Sequence, residues 1–157
     1  MIEVALFEPE IPPNTGNIIR LCANTGAQLH LIEPIGFSMD DRDLRRAGLD
    51  YHEFSTVTRH HDWTSFSRST APRRLIAFST RGTLAHTDIC YRLSDTLLFG
   101  PETRGLPEEL LDSGVCHHVV RIPMRPKVRS LNLSNAVAIA CYEAWRQLQF
   151  AGAGGAR

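Results

Sequence analysis

No stretch of about 18 consecutive apolar residues occurs in this sequence, so no segment reads as a membrane-spanning helix. The opening MIEVALFEPE has no basic region ahead of an apolar one; no signal peptide is expected, and a cytoplasmic chain is. Cysteine is sparse. Cys22, Cys90, Cys116 and Cys141 include no CxxC pair, and they read as reduced thiols, small hydrophobes rather than nucleophiles. Net charge is absent too, with 17 basic residues against 17 acidic, which argues against a protein that coats nucleic acid without specificity. Lysine is nearly missing, since Lys127 is the only one. There is no GxGxxG fingerprint and no Walker loop, so neither a dinucleotide nor a triphosphate is indicated. No Ser-His-Asp or Cys-His arrangement can be identified. His60, His61 and Asp62 are adjacent, as are His117 and His118, but neighbouring side chains seldom converge on one ion; no metal is expected.

What is present is a chain of 157 residues, 43% hydrophobic, about one domain's worth. Residues 1–150 read as a single domain, and 151–157, AGAGGAR, as a flexible tail. Val4 to Phe7 reads as a strand, followed by a loop stiffened by Pro9, Pro12 and Pro13. Asn14 or Thr15 can cap a helix that runs to Thr25, with Gly26 as its stop. Leu29 to Ile32 is a second strand, completing a βαβ unit that implies parallel pairing. Phe37 to Asp50 is charge-dense and reads as a solvated helix, and Tyr51 to Thr58 as a short edge strand. A helix over Trp63 to Ser69, strands over Leu75 to Phe78 and Thr96 to Phe99, and a short helix over Pro107 to Ser113 follow. The alternation predicts an α/β domain, a mostly parallel sheet with helices on both faces.

The stretch from Val119 to Leu148 carries most of the functional signal. Val119, Val120 and Ile122 read as a strand that Pro123 and Pro126 stop. Arg121, Arg125, Lys127 and Arg129 then follow with no acid among them, either a solvated loop or a set of phosphate contacts. Ser130 or Asn132 can cap the next helix, whose apolar positions Leu133, Val137, Cys141, Ala144 and Leu148 keep a three-to-four spacing. Asn135 and Tyr142 are seven apart on that helix and face the same region. Tyr142, Trp145 and Phe150 either pack internally or form part of a contact with another copy. Phe99 to Gly105 follows a strand directly, as an ordinary tight turn or as a ligand loop with Gly100 at its entry. Asn14, Asn17 and Arg20, at steps of three, share roughly one side of the first helix, as a site or as a cap plus solvated residues.

Three stretches together, Glu8 to Gly26, Leu97 to Leu111 and Ile122 to Leu148, resemble in order and spacing the motifs of the SPOUT methyltransferases, trefoil-knotted RNA enzymes. The likeness covers nearly the whole chain, and within the family it is to single-domain members that act on the wobble nucleotide of tRNA. The lack of a glycine-rich loop after the first strand speaks against the Rossmann type of methyltransferase. The resemblance implies a C-terminal trefoil knot and S-adenosylmethionine in a pocket formed by Phe78, Gly100, Glu102, Ile122, Ser130, Leu131 and Asn135. It implies catalysis by Arg20 with Asn14, Asn17 and Tyr142, and contact of Arg121, Arg125, Lys127 and Arg129 with a tRNA anticodon stem-loop. It also implies a homodimer with shared sites. The expected reaction is 2′-O-methylation of the wobble cytidine or uridine. The alternatives are another tRNA or rRNA position, a non-catalytic module of the same fold, or a flavodoxin-like nucleotide-binding domain without RNA.

Overall fold

The computed structural model describes residues 1–38, 56–69 and 73–154. The strands are β1 (Glu3–Phe7), β2 (Gln28–Ile32), β3 (Val57–His60), β4 (Leu75–Phe78), β5 (Leu84–Ala85), β6 (Thr96–Phe99) and β7 (His118–Arg121). The helices are α1 (Pro12–Thr25), α2 (Trp63–Ser69), α3 (Glu108–Asp112) and α4 (Leu133–Gln147). The strands form one sheet in the order β3-β2-β1-β6-β4-β7-β5, and every pairing is parallel. Of the inner strands, β1, β2, β4 and β6 are almost wholly buried, which is why they read as continuous apolar runs rather than alternating ones.

Alternate residues of the strands feed two cores. Val4, Leu6, Leu29, Leu31, Ile76 and Leu97 pack with Ile18 and Ile19 of α1 and with Val137, Ala140 and Cys141 of α4. Ala5, Phe7, Ile32, Ala77 and Leu98 form the opposite face with Phe66 of α2 and Leu111 of α3. Burial pushes the thiols of Cys22 and Cys116 up to about 12 and about 11, and that of Cys141 upward as well, so all three are packing groups.

Several details depart from the sequence reading. The charge-dense stretch lies outside the described residues from position 39 on, as does the edge strand up to 55; the edge strand that is described, β3, runs on to His60. The helix α1 starts at Pro12, two residues before the expected cap, while Gly26 ends it at φ 72° as expected. Just beyond α4, Trp145 Nε1 donates to the Ala151 carbonyl at 3.0 Å, and Ala153 N to the Phe150 carbonyl at 2.9 Å.

The short strand β5 was not visible in the sequence. It lies beyond β7 at the sheet edge, so β7 is inserted between two strands that are consecutive in the chain. Residues 79–86 pass close over it. Ser79 N donates to the Val120 carbonyl at 2.9 Å, and a Cβ on Gly82 would stand 2.4 Å from the Val120 carbonyl carbon. Only glycine lets the two backbones meet there.

Candidate active site

The loops that leave β4, β6 and β7 at their carboxyl ends meet the start of α1 and enclose a cleft of about 680 Å³. That is where open α/β sheets take ligands, and the size is that of a small-molecule site. Phe78 and Phe99, last residues of β4 and β6, stack at 4.6 Å beneath it. Of the residues expected to hold a cofactor, Phe78, Gly100, Glu102, Ile122, Ser130 and Leu131 all line this cleft. Asn135 does not; its backbone N–H turns inward to the Asn132 side chain at 3.4 Å, and its own side chain is exposed.

Two helix starts make one wall. The helix α4 is capped by Asn132, whose Oδ1 accepts from Ser134 N at 2.9 Å and Asn135 N at 3.4 Å; Ser130 is not the cap. The start of α1 is built differently. Ile11 has no capping side chain, and Pro12 and Pro13 have no N–H to offer. The free N–H groups just upstream, on Glu10 and Ile11, instead donate to the Glu102 carboxylate at 2.8 and 3.2 Å. Asn14, only 5% exposed, donates from Nδ2 to Glu102 at 3.1 Å and accepts at Oδ1 from Asn132 Nδ2 at 2.8 Å. Asn14 is therefore a link between two loops and not a helix cap. Glu102, expected among the cofactor ligands, has both oxygens engaged by the chain itself. The exchange is reciprocal, because Glu10 accepts from Thr103 N at 3.1 Å and from Arg104 at 3.2 Å, which also pairs with Glu8. The Thr103 hydroxyl leads the causes that hold the Glu10 carboxyl below its usual range.

Gly100 fits the tight-turn alternative of the sequence reading and also lines the cleft. A Cβ there would stand 2.3 Å from Leu106 N and 2.4 Å from the Gly105 carbonyl carbon, so the chain's own loop needs the glycine before any ligand does.

The remaining candidates, Arg129 apart, do not line the cleft of their own chain. Asn17 and Arg20 are exposed on α1, and Tyr142 is 48% exposed two turns along α4 from Asn135, with its ring against Trp145. Arg121, Arg125, Lys127 and Arg129 are all exposed, and Arg129 also lines the cleft. Among the described residues none of these four forms an ion pair. No group of three metal-ligating side chains occurs among the described residues. His60 instead faces His30 at 2.9 Å, and Asp62 accepts from Ser65 N at 2.6 Å at the start of α2. The residue the sequence reading missed as part of the site is Asn132. It was visible only as one of two possible caps, since nothing local reveals a partner 118 positions away.

A parallel sheet with a cleft beyond its carboxyl edge, bordered by strand-end loops and an arginine-rich exposed segment, defines an α/β protein for a small cofactor and an anionic partner. The SpoU rRNA Methylase family model matches residues 1–142, and the chain belongs to that family. It is 61% identical over 153 residues, 98% of both chains, to the tRNA (cytidine(34)-2′-O)-methyltransferase of Escherichia coli K12. The fold superposes at TM-score 0.87, with 45% identity over 95% of this chain and 91% of the other, on a structure solved for insight into 2′-OH methylation of C/U34 on tRNA. An AdoMet-bound rRNA methyltransferase from Sinorhizobium meliloti matches at TM-score 0.82 and 28% identity, over 94% of this chain and 56% of the other.

Proposed function

We infer that this chain methylates the ribose 2′-hydroxyl of nucleotide 34, cytidine or uridine, in the anticodon loop of tRNA, using S-adenosylmethionine. The observation that carries the reading is the cleft at the carboxyl edge, formed by the loops after β4, β6 and β7 and bordered by exposed arginines. The relatives' printed activity supports it. The cleft also suits the cofactor. Phe78, Ile122 and Leu131 give it apolar walls for a purine, and strand-end backbone groups provide hydrogen-bonding edges. S-adenosylmethionine supplies a methyl group already activated on a sulfonium, so alignment of the attacking hydroxyl accounts for much of the rate.

Arg20, as a guanidinium, makes a poor general base. Its charge suits orienting a phosphate or steadying the developing alkoxide. Arg121, Arg125, Lys127 and Arg129 offer phosphate contacts along the strand-to-helix loop. Arg20, Asn17 and Tyr142 are exposed and do not line their own chain's cleft, which supports a homodimer whose sites take Arg20 from the second copy. The exposed Tyr142 and Phe150 beside Trp145 suit that contact. The reading includes one cytoplasmic domain over 1–150, and a trefoil knot in which β7 passes between β4 and β5.

The test is ribose-methyl mapping of total tRNA incubated with the protein and S-adenosylmethionine. Methylation at nucleotide 34 is expected; methylation elsewhere in tRNA or rRNA, or none, overturns the assignment. Sedimentation showing a monomer at the assay concentration would exclude the shared site.

A further inference from the structure

The two side-chain hydrogen bonds that join Asn132, Asn14 and Glu102 connect three segments separated by 118 and 88 positions. Each end of this chain fixes a helix start. At one end Asn132 Oδ1 holds the first N–H groups of α4 and the Ser134 hydroxyl, at 2.7 Å. At the other end Glu102 takes the N–H groups of Glu10 and Ile11, immediately ahead of α1. The buried Asn14 amide has both polar atoms engaged, and only one orientation of the amide satisfies both partners.

The helix α1 has no cap of its own and two prolines in its first turn. Where it begins is therefore set from outside, by the loop after β6 and by the cap of α4. Arg20 stands six residues beyond Asn14, about 9 Å along the axis. A change of about 1 Å in the start of the helix passes through a rigid, core-packed element to that arginine, and misplacement on this scale is enough to cost methyl transfer about 100-fold.

We propose that Asn132, Asn14 and Glu102 form a positioning relay that sets α1, and with it Arg20, relative to the methyl-transfer site, so that Asn14 acts through Arg20 rather than on the substrate. This inference rests on the methyltransferase reading above. It differs from a purely stabilising role in what it predicts: loss of the relay lowers turnover while cofactor affinity and thermal stability hold.

The informative substitution is Asn132→Ser. Serine caps a helix about as well as asparagine and adds no charge, but its single, shorter hydroxyl cannot cap α4 and also reach Asn14 as the amide does. A second pair of variants rebuilds the relay in reverse. Asn14→Asp alone sets a second carboxylate against Glu102. Adding Glu102→Gln lets the new amide donate to that aspartate while its oxygen still accepts from Glu10 N; only the longer bond from Ile11 N is given up.

Methyl transfer is measured with methyl-labelled S-adenosylmethionine and total tRNA, cofactor binding by calorimetry, and unfolding by heat. For Asn132→Ser the expected result is kcat down at least 10-fold, cofactor Kd within threefold and Tm within about 2 °C. For Asn14→Asp kcat falls further, and the double variant recovers at least 10-fold of that loss. If Asn132→Ser keeps kcat within twofold, or the double variant is no faster than Asn14→Asp, the relay has no positioning role. Wild-type protein is assayed alongside. Failure of wild type to methylate tRNA would remove the functional reading itself, whereas an active wild type with indifferent variants removes only the relay.

Discussion

Glu102, Asn14 and Asn132 beside the cleft resemble, in kind, a second polar chain at the far edge of the sheet, made by Glu3, His30 and His60. Each starts at a carboxylate and runs through a buried side chain, Asn14 in the first and His30 in the second. At the edge, His30 Nε2 lies 3.2 Å from Glu3, which also pairs with Arg73, and His30 Nδ1 lies 2.9 Å from His60 Nε2. Phe66 packs edge-on against both rings. The two chains differ in where they end. The cleft chain ends on the backbones of two helix starts and an open loop, so breaking it changes geometry that a substrate would feel. Among the described residues the edge chain runs on only to Arg73, Thr96 of β6 and Ser69 of α2, none of which lines the cleft, so breaking it is expected to change stability alone. Similar polar chemistry thus serves position in one place and cohesion in the other.

The comparison sharpens most at the residue the cleft chain is held to position. Arg20→Ala is expected to lower methyl transfer by about 100-fold to 1,000-fold, the usual loss for one group that steadies developing charge. Cofactor affinity by calorimetry and Tm should stay near wild type, because Arg20 is exposed and off the cleft of its own chain. Full activity of the variant would end its catalytic assignment.

The edge chain should respond to pH instead. Burial first holds the His30 pKa down to about 4 from 6.5, and lowers that of His60, with the His30 charge as a further cause. With both rings protonated, two N–H groups would face each other across 2.9 Å. Because the folded pKa is depressed, this stability is fully present above about pH 6.5 and is lost as pH falls toward about 4. The loss is at most about 3 kcal/mol. Denaturant midpoints across that window should fall in wild type more steeply than in His30→Gln; equal slopes would place the pH sensitivity elsewhere.

The smallest effect tests whether the cleft loop is held by its own packing. In Gly100→Ala the added methyl meets the Gly105 and Leu106 backbone and should cost about 1–3 kcal/mol of stability, with weaker cofactor binding alongside. An unchanged Tm with weaker binding would mean that the glycine makes room for the ligand alone.

How much of this could be read from sequence follows from how local each cause is. The strands VALF, LIAF and TLLF were legible because parallel strands buried on both faces are runs of apolar residues. The helix α4 was legible because Asn132 and the apolar spacing lie within it. The start of α1 was not, because its N–H groups are satisfied by a carboxylate more than 90 positions away. The strand β5 escaped notice because it has two residues, and Leu84 is 42% exposed. His60 beside His61 hinted at metal, while His30 in QLHLI read as strand; only pairing of β2 with β3 brings the two rings together. The motifs outlined the cleft, but the relay across it joins residues that no local pattern connects.

The insertion of β7 between β4 and β5 has a consequence for how the chain is made. On the ribosome, residues 79–86 emerge more than 30 positions before the strand they must lie against. Among the described residues the only ladder partner of β5 is β7, so until His118–Arg121 arrives that stretch lacks the strand it docks on. Synthesis and docking therefore run in opposite orders at this edge. Non-local closure of this kind makes folding slow, since chain entropy is lost before contacts repay it. A nascent chain halted before residue 118 would carry Leu84 and the exposed edge of β4 to any neighbour, which makes the last forty residues the part of the protein that protects the rest from association.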